Sequence, residues 1–354
     1  MRKIKIGIIG CGCIARSGHI PEYLANGGAQ IAYFCDSKLE SAESCVSDYG
    51  CGIAVDDYRK VLLDPDVDAV SVCTPNLMHG IVSIEAMRSG KHVLCEKPAA
   101  KTYEEALEMQ RVHRETGKIM NIGMVCRFNR SVNRVRSRIA AGELGEIYHV
   151  FVNFRAFRSI PGIGGAFTNR SISGGGVLID WGVHRLDQVM YCLGDPKPVT
   201  VSAQTFSKLG LDMENYKYRS MWSESTKNTS GVYDVEDSVC ALIRTEGPVI
   251  TLEGAWAQNI DEEEQYLDFL GTKGGIRLFY GGGYRFYTVR NGQFCTEEEN
   301  LSSDDMYQMQ IDSFLECIRT GNGDRNCIDN VILTSEIMQA VYDSSERGRE
   351  VVLS

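Results

Sequence analysis

Short apolar runs alternate with segments of helical period along the first third of the chain. Residues 3–10 (KIKIGIIG) read as a strand running into glycines, and 14–27 as a helix closed by Gly27 and Gly28. Residues 30–36 (QIAYFCD) form a second strand, and 38–50 a helix with a glycine stop. A strand over 68–75 (DAVSVCTP) is halted by Pro75, and an amphipathic helix over 79–90 ends at Gly90. KHVLCEKP, from Lys91, is the next strand. A helix over 102–117 opens with Thr102 and Glu105 at capping-box spacing, and 119–125 (IMNIGMV) is one more strand. This alternation predicts right-handed crossovers and a doubly wound parallel sheet. Ligands of such sheets sit beyond the C-terminal strand ends, where Asp36, Thr74-Pro75-Asn76 and Glu96-Lys97-Pro98 fall.

The pattern changes after about 126. A basic helix over 131–141 leads into 146–157 (EIYHVFVNFRAF), which alternates like a half-exposed strand. A glycine-rich loop over 158–176 precedes a helix over 178–194. VTVSAQTF, SVCALIR, VITLEGAWAQ, QYLDFLG, GIRLFY and YRFYTV follow as strands, many joined by short glycine turns, and helices over 304–320 and 330–347 close the chain. They predict an α+β domain with an open, largely antiparallel sheet and helices on one face. The expected division is 1–125 and 126–354, since 354 residues exceed one ordinary core. The polar, aromatic stretch 208–236 is long for a loop, and the acidic runs 261–264 and 297–299 read as surface charge near turns.

A net charge of −10 argues against a general nucleic-acid or anionic-membrane binder. The densest basic cluster, 126–138 (CRFNRSVNRVRSR), reads as a solvated helix face with an anion site at its start. No apolar segment approaches the ~20 residues of a membrane span. The glycines of the N-terminal run argue against a signal peptide, so the chain reads as cytosolic. Thirteen cysteines include Cys73, Cys95 and Cys240 inside apolar runs, where they read as small buried hydrophobes. Cys11 and Cys13 form the one tight pair, with no second pair or nearby histidine to complete a metal set. Neither metal nor disulfide is expected.

Gly10-Cys11-Gly12-Cys13-Ile14-Ala15 fits G-x-G-x-x-G/A between a strand and a helix, with Asp36 ending the next strand. Glycines let a backbone approach a pyrophosphate, and the helix N-terminus offers oriented N–H groups. Gly10, Gly12, Cys13 and Ile14 are thus candidate dinucleotide contacts. Asp36 would accept from the adenosine ribose and repel a 2′-phosphate, which favours NAD, while Lys38 keeps NADP open. Asp180 and His184 stand four apart behind three glycines, on one helix face, with Asp187 three further on. A histidine beside a carboxylate can serve as an oriented general base or acid. Lys97, on the ligand edge, can stabilise negative charge on an oxygen as hydride leaves. The plain alternative is a surface pair with Glu96 worth ~0–1 kcal/mol.

GIIGCGCIA, CTPNLMHG, VLCEKPAA and GGGVLIDWGVHRLD together resemble the glucose–fructose oxidoreductase / inositol dehydrogenase / MocA (Gfo/Idh/MocA) family of NAD(P)-dependent oxidoreductases, over nearly the whole chain. The resemblance implies a Rossmann domain followed by an α/β domain whose open sheet often builds homodimers or homotetramers. It implies a catalytic Lys97 with Asp180 and His184, and a Lys97-Pro98 peptide that is commonly cis. Thr74, Pro75, Asn76 and His79 match the family's cofactor-contact segment. Arg127 matches a basic position near cofactor and substrate, although the family often has two arginines where this chain reads Cys126-Arg127. Glu96 is expected to touch the cofactor ribose, tune Lys97 or cap the following segment. Asn153, Arg155 and Tyr233 are implied substrate contacts, and Trp181 either stacks on a sugar ring or fills core.

The expected function is NAD-dependent hydride transfer between nicotinamide and a hydroxyl or keto group of a polyol, sugar or sugar derivative. Lys97 would polarise the oxygen, His184 exchange the proton and Asp180 orient the site, so that Lys97 and His184 act at one nicotinamide. A redox glycosidase or lyase that recycles its NAD is an alternative. So is a cofactor-binding sensor, against which the full Lys/Asp/His set argues. Specificity is expected in 153–172, 208–236 and the C-terminal helices.

Overall fold

The computed structural model describes residues 2–219, 227–261, 263–301 and 305–353. Residues 220–226 of the long polar stretch, and Glu262 of the acidic run 261–264, lie outside the described residues. The chain forms two compact units: Met1–Val125 with Asp305–Ile332, and Cys126–Asp304 with Leu333–Ser354.

The first unit runs β1 (Ile4–Ile9), a π-helical turn (Ala15–His19), α1 (Ile20–Ala25), β2 (Ala29–Cys35), α2 (Leu39–Tyr49), β3 (Ile53–Val55) and α3 (Tyr58–Leu63). It continues with β4 (Ala69–Val72), α4 (His79–Arg88), β5 (His92–Cys95), α5 (Tyr103–Thr116) and β6 (Met120–Ile122). All strand pairs are parallel, in the order β3-β2-β1-β4-β5-β6. This is the doubly wound Rossmann order, with its reversal between β1 and β4. Every residue of β4 and β6 is buried, as in a parallel sheet covered on both faces. The expected cap of α5 is present: Thr102 accepts from the Glu105 amide at 3.2 Å, while Glu105 reaches back to the Lys101 amide.

The helix Met306–Thr320 completes this core. Ile311, Phe314 and Leu315 pack with Ile6, Ile8, Phe34 and Leu94. The expected second domain of 126–354 therefore gives up 305–332 to the first unit. Two short elements, β3 and α3, carry too few residues to show a period and escaped the sequence reading.

The second unit contains α6 (Arg130–Ala140), β7 (Ile147–Arg155), α7 (Arg170–Ser173), a π-helical turn (Leu178–Gly182) running into α8 (Val183–Leu193), and β8 (Pro198–Phe206). Then come β9 (Ser238–Thr245), β10 (Val249–Ala255), β11 (Glu264–Gly271), β12 (Gly274–Phe279), β13 (Tyr284–Arg290) and β14 (Gln293–Glu299). After the helix Met306–Thr320, here α9, the chain ends in α10 (Ile328–Arg347) and β15 (Val351–Val352). The nine-stranded sheet has the order β14-β13-β12-β11-β7-β10-β9-β8-β15. Its pairs are antiparallel except β7–β10. One face is buried through Val150, Val152, Phe154, Val239, Ile243, Ile250 and Leu252.

Two expectations change here. Cys240 is exposed, because the alternation of β9 turns it to the open face, whereas Cys73 and Cys95 are buried. The basic helix is a solvated face only in part: Arg130 and Arg134 are exposed, the latter 3.5 Å from Glu299, whereas Arg138 of α6 is buried and donates to Glu297 at 2.7 Å. The acidic run 297–299 thus belongs to a strand, β14, that answers α6. All thirteen cysteines are free, and among the described residues no helix is long and apolar enough to cross a membrane.

Candidate active site

In the first unit, β1 exits through Gly10 at φ +94°. A Cβ there would stand 2.5 Å from the Cys73 carbonyl oxygen, so only glycine lets β1 and β4 leave the sheet side by side. A Cβ on Gly12 would meet nothing within 4 Å, which leaves the backbone of the turn open to a ligand. Cys13 is exposed and Ile14 half-buried beside it. Asp36, just beyond β2, accepts from the Cys11 amide at 2.9 Å and the Lys38 amide at 3.0 Å, which fixes its carboxylate against the glycine turn.

Beyond β4, Thr74 Oγ1 is a buried hydroxyl oxygen without a hydrogen-bond partner among the described residues. Pro75 is exposed, and Asn76 opens the short 3₁₀ turn Asn76–Met78. His79, expected as a cofactor contact, is buried instead. Its Nδ1 lies 2.7 Å from the Pro98 carbonyl and its Nε2 2.9 Å from the Thr74 carbonyl, so the ring ties together the loops after β4 and β5. Burial holds this imidazole below its ordinary pKa, although both carbonyls pull the other way.

β5 delivers Glu96 and Lys97 past its last residue, and the Lys97–Pro98 peptide is cis, as the resemblance implied. Glu96 turns inward. Its Oε1 lies 2.8 Å from His19 Nε2, and its Oε2 accepts from the Lys97 amide at 3.2 Å. A surface Lys97–Glu96 pair is thereby replaced by a buried carboxylate beneath a half-buried lysine.

In the second unit, Asp180 lies in the π-helical turn and His184 in the first turn of α8, both half-buried. The wider turn interrupts what reads in sequence as one α-helix, and such turns are frequent at functional sites. Asp180 Oδ2 accepts from the indole N–H of the fully buried Trp256 at 3.2 Å. The start of the turn is held by Glu236, whose Oε2 accepts from the Gly176 amide (2.9 Å) and whose Oε1 accepts from the Leu178 amide (3.0 Å) and the Tyr342 hydroxyl (2.9 Å). Burial pushes this carboxyl above its ordinary pKa, against those donors. A Cβ on Gly176 would fall 2.0 Å from the Glu236 carbonyl oxygen, so glycine is needed for this approach. Glu236 and Trp256 escaped the sequence reading. The adjacent acids Glu236-Asp237, at the start of an apolar strand without a basic neighbour, were the available signal.

Of the remaining expected residues, Asn153 is wholly buried on β7. Its Oδ1 accepts from Arg155 Nε at 2.9 Å, while its Nδ2 has no partner among the described residues and is available to a ligand oxygen. Arg155 also lies 3.6 Å from Glu253. Trp181 is half-buried, and Tyr233 is buried with its ring against Gly210. Arg127, 1% exposed, engages Asp187 of α8 through Nε (2.9 Å) and Nη2 (2.7 Å), so the structure gives it a helix to anchor. His113, Cys327 and Asp329 of the first unit bring ligand atoms within 4.8 Å of one another, but Asp329 Oδ1 already accepts from Gln110 and Arg114.

Two family models match. One, described as an oxidoreductase family with an NAD-binding Rossmann fold, covers residues 4–124; the other, the GFO/IDH/MocA C-terminal domain, covers 132–277. D-glucoside 3-dehydrogenase of Escherichia coli (strain K12) is 33% identical over 99% of this chain and 97% of its own length. The chain belongs to the Gfo/Idh/MocA oxidoreductase family. Within the family, 1,5-anhydro-D-fructose reductase of Ensifer adhaerens is 34% identical over 58% of this chain and 61% of its own. The fold matches levoglucosan dehydrogenase in complex with NADH and levoglucosan at TM-score 0.86, with 20% identity and full coverage of both chains. This family member is an NAD-dependent oxidoreductase. The open Gly12 turn, the fixed Asp36 carboxylate and the Thr74 hydroxyl, which has no partner among the described residues, fit the dinucleotide.

Proposed function

We propose that this enzyme is a sugar dehydrogenase that oxidises a secondary hydroxyl of a D-glucoside or closely related pyranoside to the ketone. The observation that carries the reading is the end-to-end relationship to D-glucoside 3-dehydrogenase. NAD, when bound, supplies the hydride acceptor. Gly10, Gly12, Cys13, Ile14, Asp36, Thr74, Pro75 and Asn76 would hold it. Lys97 donates a hydrogen bond to the reacting oxygen and stabilises the negative charge that grows there as the carbon loses hydride. His184 takes the hydroxyl proton, and Asp180, braced by Trp256, orients the site. Asn153 Nδ2, buried without a partner among the described residues, offers a neutral donor suited to a sugar hydroxyl.

The test is a panel of glucosides, free aldoses, anhydrosugars and inositols with NAD and NADP, followed by NADH absorbance. Turnover of glucosides with NAD is expected, with loss of turnover but retained NAD binding in Lys97→Ala and His184→Ala. Full activity in Lys97→Ala would sink the assignment of that residue. The similarity to 1,5-anhydro-D-fructose reductase favours a second reading, reduction of a keto sugar. Assay from both directions decides between them.

A further inference from the structure

A line of buried polar side chains runs under the strand end that carries Lys97. The Tyr23 hydroxyl lies 2.9 Å from Ser71 Oγ, Ser71 Oγ 3.1 Å from His19 Nδ1, and His19 Nε2 2.8 Å from Glu96 Oε1. One proton arrangement satisfies every member of the line. Tyr23 donates to Ser71, Ser71 donates to Nδ1, and Nε2–H donates to the carboxylate. His19 is 0% exposed and Glu96 6%, so the line has little access to water. Gly123 closes one side, where an added Cβ would fall 2.9 Å from Glu96 Oε1. The other carboxylate oxygen accepts from the Lys97 amide.

A buried carboxylate with no such support would protonate or turn away. Burial does push the Glu96 carboxyl up, but the interactions with His19 and then with Lys97 outweigh it, and the group is held below its ordinary value. The other titratable neighbours, Cys73, Cys95 and Tyr23, are all pushed up by burial and stay neutral, and burial holds the His79 imidazole below its ordinary value. Glu96 is the one anion among these groups.

We propose that His19, backed by Ser71 and Tyr23, is a positioning residue for Lys97: it holds the Glu96 carboxylate as a fixed anion that sets the backbone and charge from which Lys97 acts. This rests on Lys97 being catalytic. Hydride transfer tolerates little misplacement, so the expected signature is a loss in kcat rather than in cofactor binding.

The experiment compares His19→Leu, His19→Gln, Glu96→Gln, Gly123→Ala and Lys97→Ala in the full chain, with circular dichroism and thermal unfolding as controls for folding. Gln at 19 keeps an N–H near the position of Nε2; Leu removes it. Expected are about ten- to hundredfold lower kcat in His19→Leu and Glu96→Gln, with the NAD Kd changed less than about threefold. The deuterium isotope effect on kcat rises, since the chemical step becomes slower, and His19→Gln recovers most of the loss. Gly123→Ala, which pushes on the carboxylate alone, gives a smaller loss of the same kind. If Lys97→Ala is inactive while His19→Leu and Glu96→Gln keep wild-type kcat, the positioning role is overturned and the Lys97 assignment stands. If Lys97→Ala is active, the assignment itself fails. If His19→Gln is no better than His19→Leu, or kcat falls only in step with the folded fraction, the line is structural and the proposal falls.

Discussion

The Glu236 carboxylate receives the Leu178 amide at 3.0 Å, and so fixes the first turn of the helical segment that bears Asp180 and His184. The second oxygen receives the Gly176 amide, and Tyr342 adds a hydroxyl from α10. Glu236→Gln turns one acceptor into a donor that faces an N–H. It is expected to cost roughly 1–3 kcal/mol of stability. A fall in kcat of about tenfold or more should accompany it as Asp180 and His184 lose their register. Urea unfolding and steady-state kinetics check both; unchanged kcat in a folded variant would show that the cap carries no catalytic geometry.

Arg127 and Asp187 form an ion pair in which both side chains are 1% exposed. Removing one partner strands the other charge in the interior. Arg127→Met is therefore expected to lose about 3–5 kcal/mol of stability. Asp187→Asn should lose less, since it keeps a carbonyl oxygen for the guanidinium. The NAD Kd of folded Arg127→Met should stay near wild type, measured by fluorescence titration. A large loss of NAD affinity with normal stability would restore the cofactor role expected from the sequence.

That the place of Asp36 is legible in the sequence while the partner of Arg127 is not is a matter of distance along the chain. The glycine turn, the strand before it and Asp36 lie within one strand–helix–strand unit, so local periodicity and motif spacing are enough. The alternation of β9, β10 and β11 was likewise legible from its period, although which face Cys240 takes depends on register against its neighbours. Arg127 meets Asp187 and Gly176 meets Glu236 across about sixty residues, and nothing local marks either pairing. The π-helical turns have the same composition as an α-helix and were read as one. The amphipathic stripe of α9 announced a helix but not the unit whose core it completes.

His92 gives the first unit an acid-sensitive core. Its Nδ1 accepts from the Ile119 amide at 3.0 Å, and burial, with the Lys118 charge, pushes the imidazole from 6.5 down to about 4. The unfolded chain takes up a proton near the ordinary value while the native ring does not. The contribution is thus complete above about pH 6.5 and is lost as pH falls toward about 4. With allowance for solvent screening of this half-buried ring, roughly 2 kcal/mol is at stake. His92→Asn, which keeps an acceptor for Ile119, should flatten urea stability over that window. An unchanged slope would assign the acid loss to other groups, among them Glu96. Its depressed carboxyl likewise gives stability that is present above the ordinary value and lost as pH falls through the folded one.

The Asp36 carboxylate braces the glycine turn through the Cys11 and Lys38 amides, and a second, proposed duty, that its charge opposes a phosphate on the adenosine ribose, can be separated from the first by substitution. Asp36→Asn keeps an oxygen for the Cys11 amide and removes the charge, whereas Asp36→Ala removes both. If charge sets cofactor choice, Asn should raise the NADP-to-NAD ratio of kcat/KM by about tenfold or more, since a like charge near the phosphate is gone. NAD turnover in Asn should fall only modestly. Ala should lose activity with both cofactors as the turn loosens. Equal ratios in wild type and Asn, with Ala impaired, would mean that the carboxylate serves the turn alone and that discrimination lies elsewhere, with the exposed Lys38 as the next group to replace.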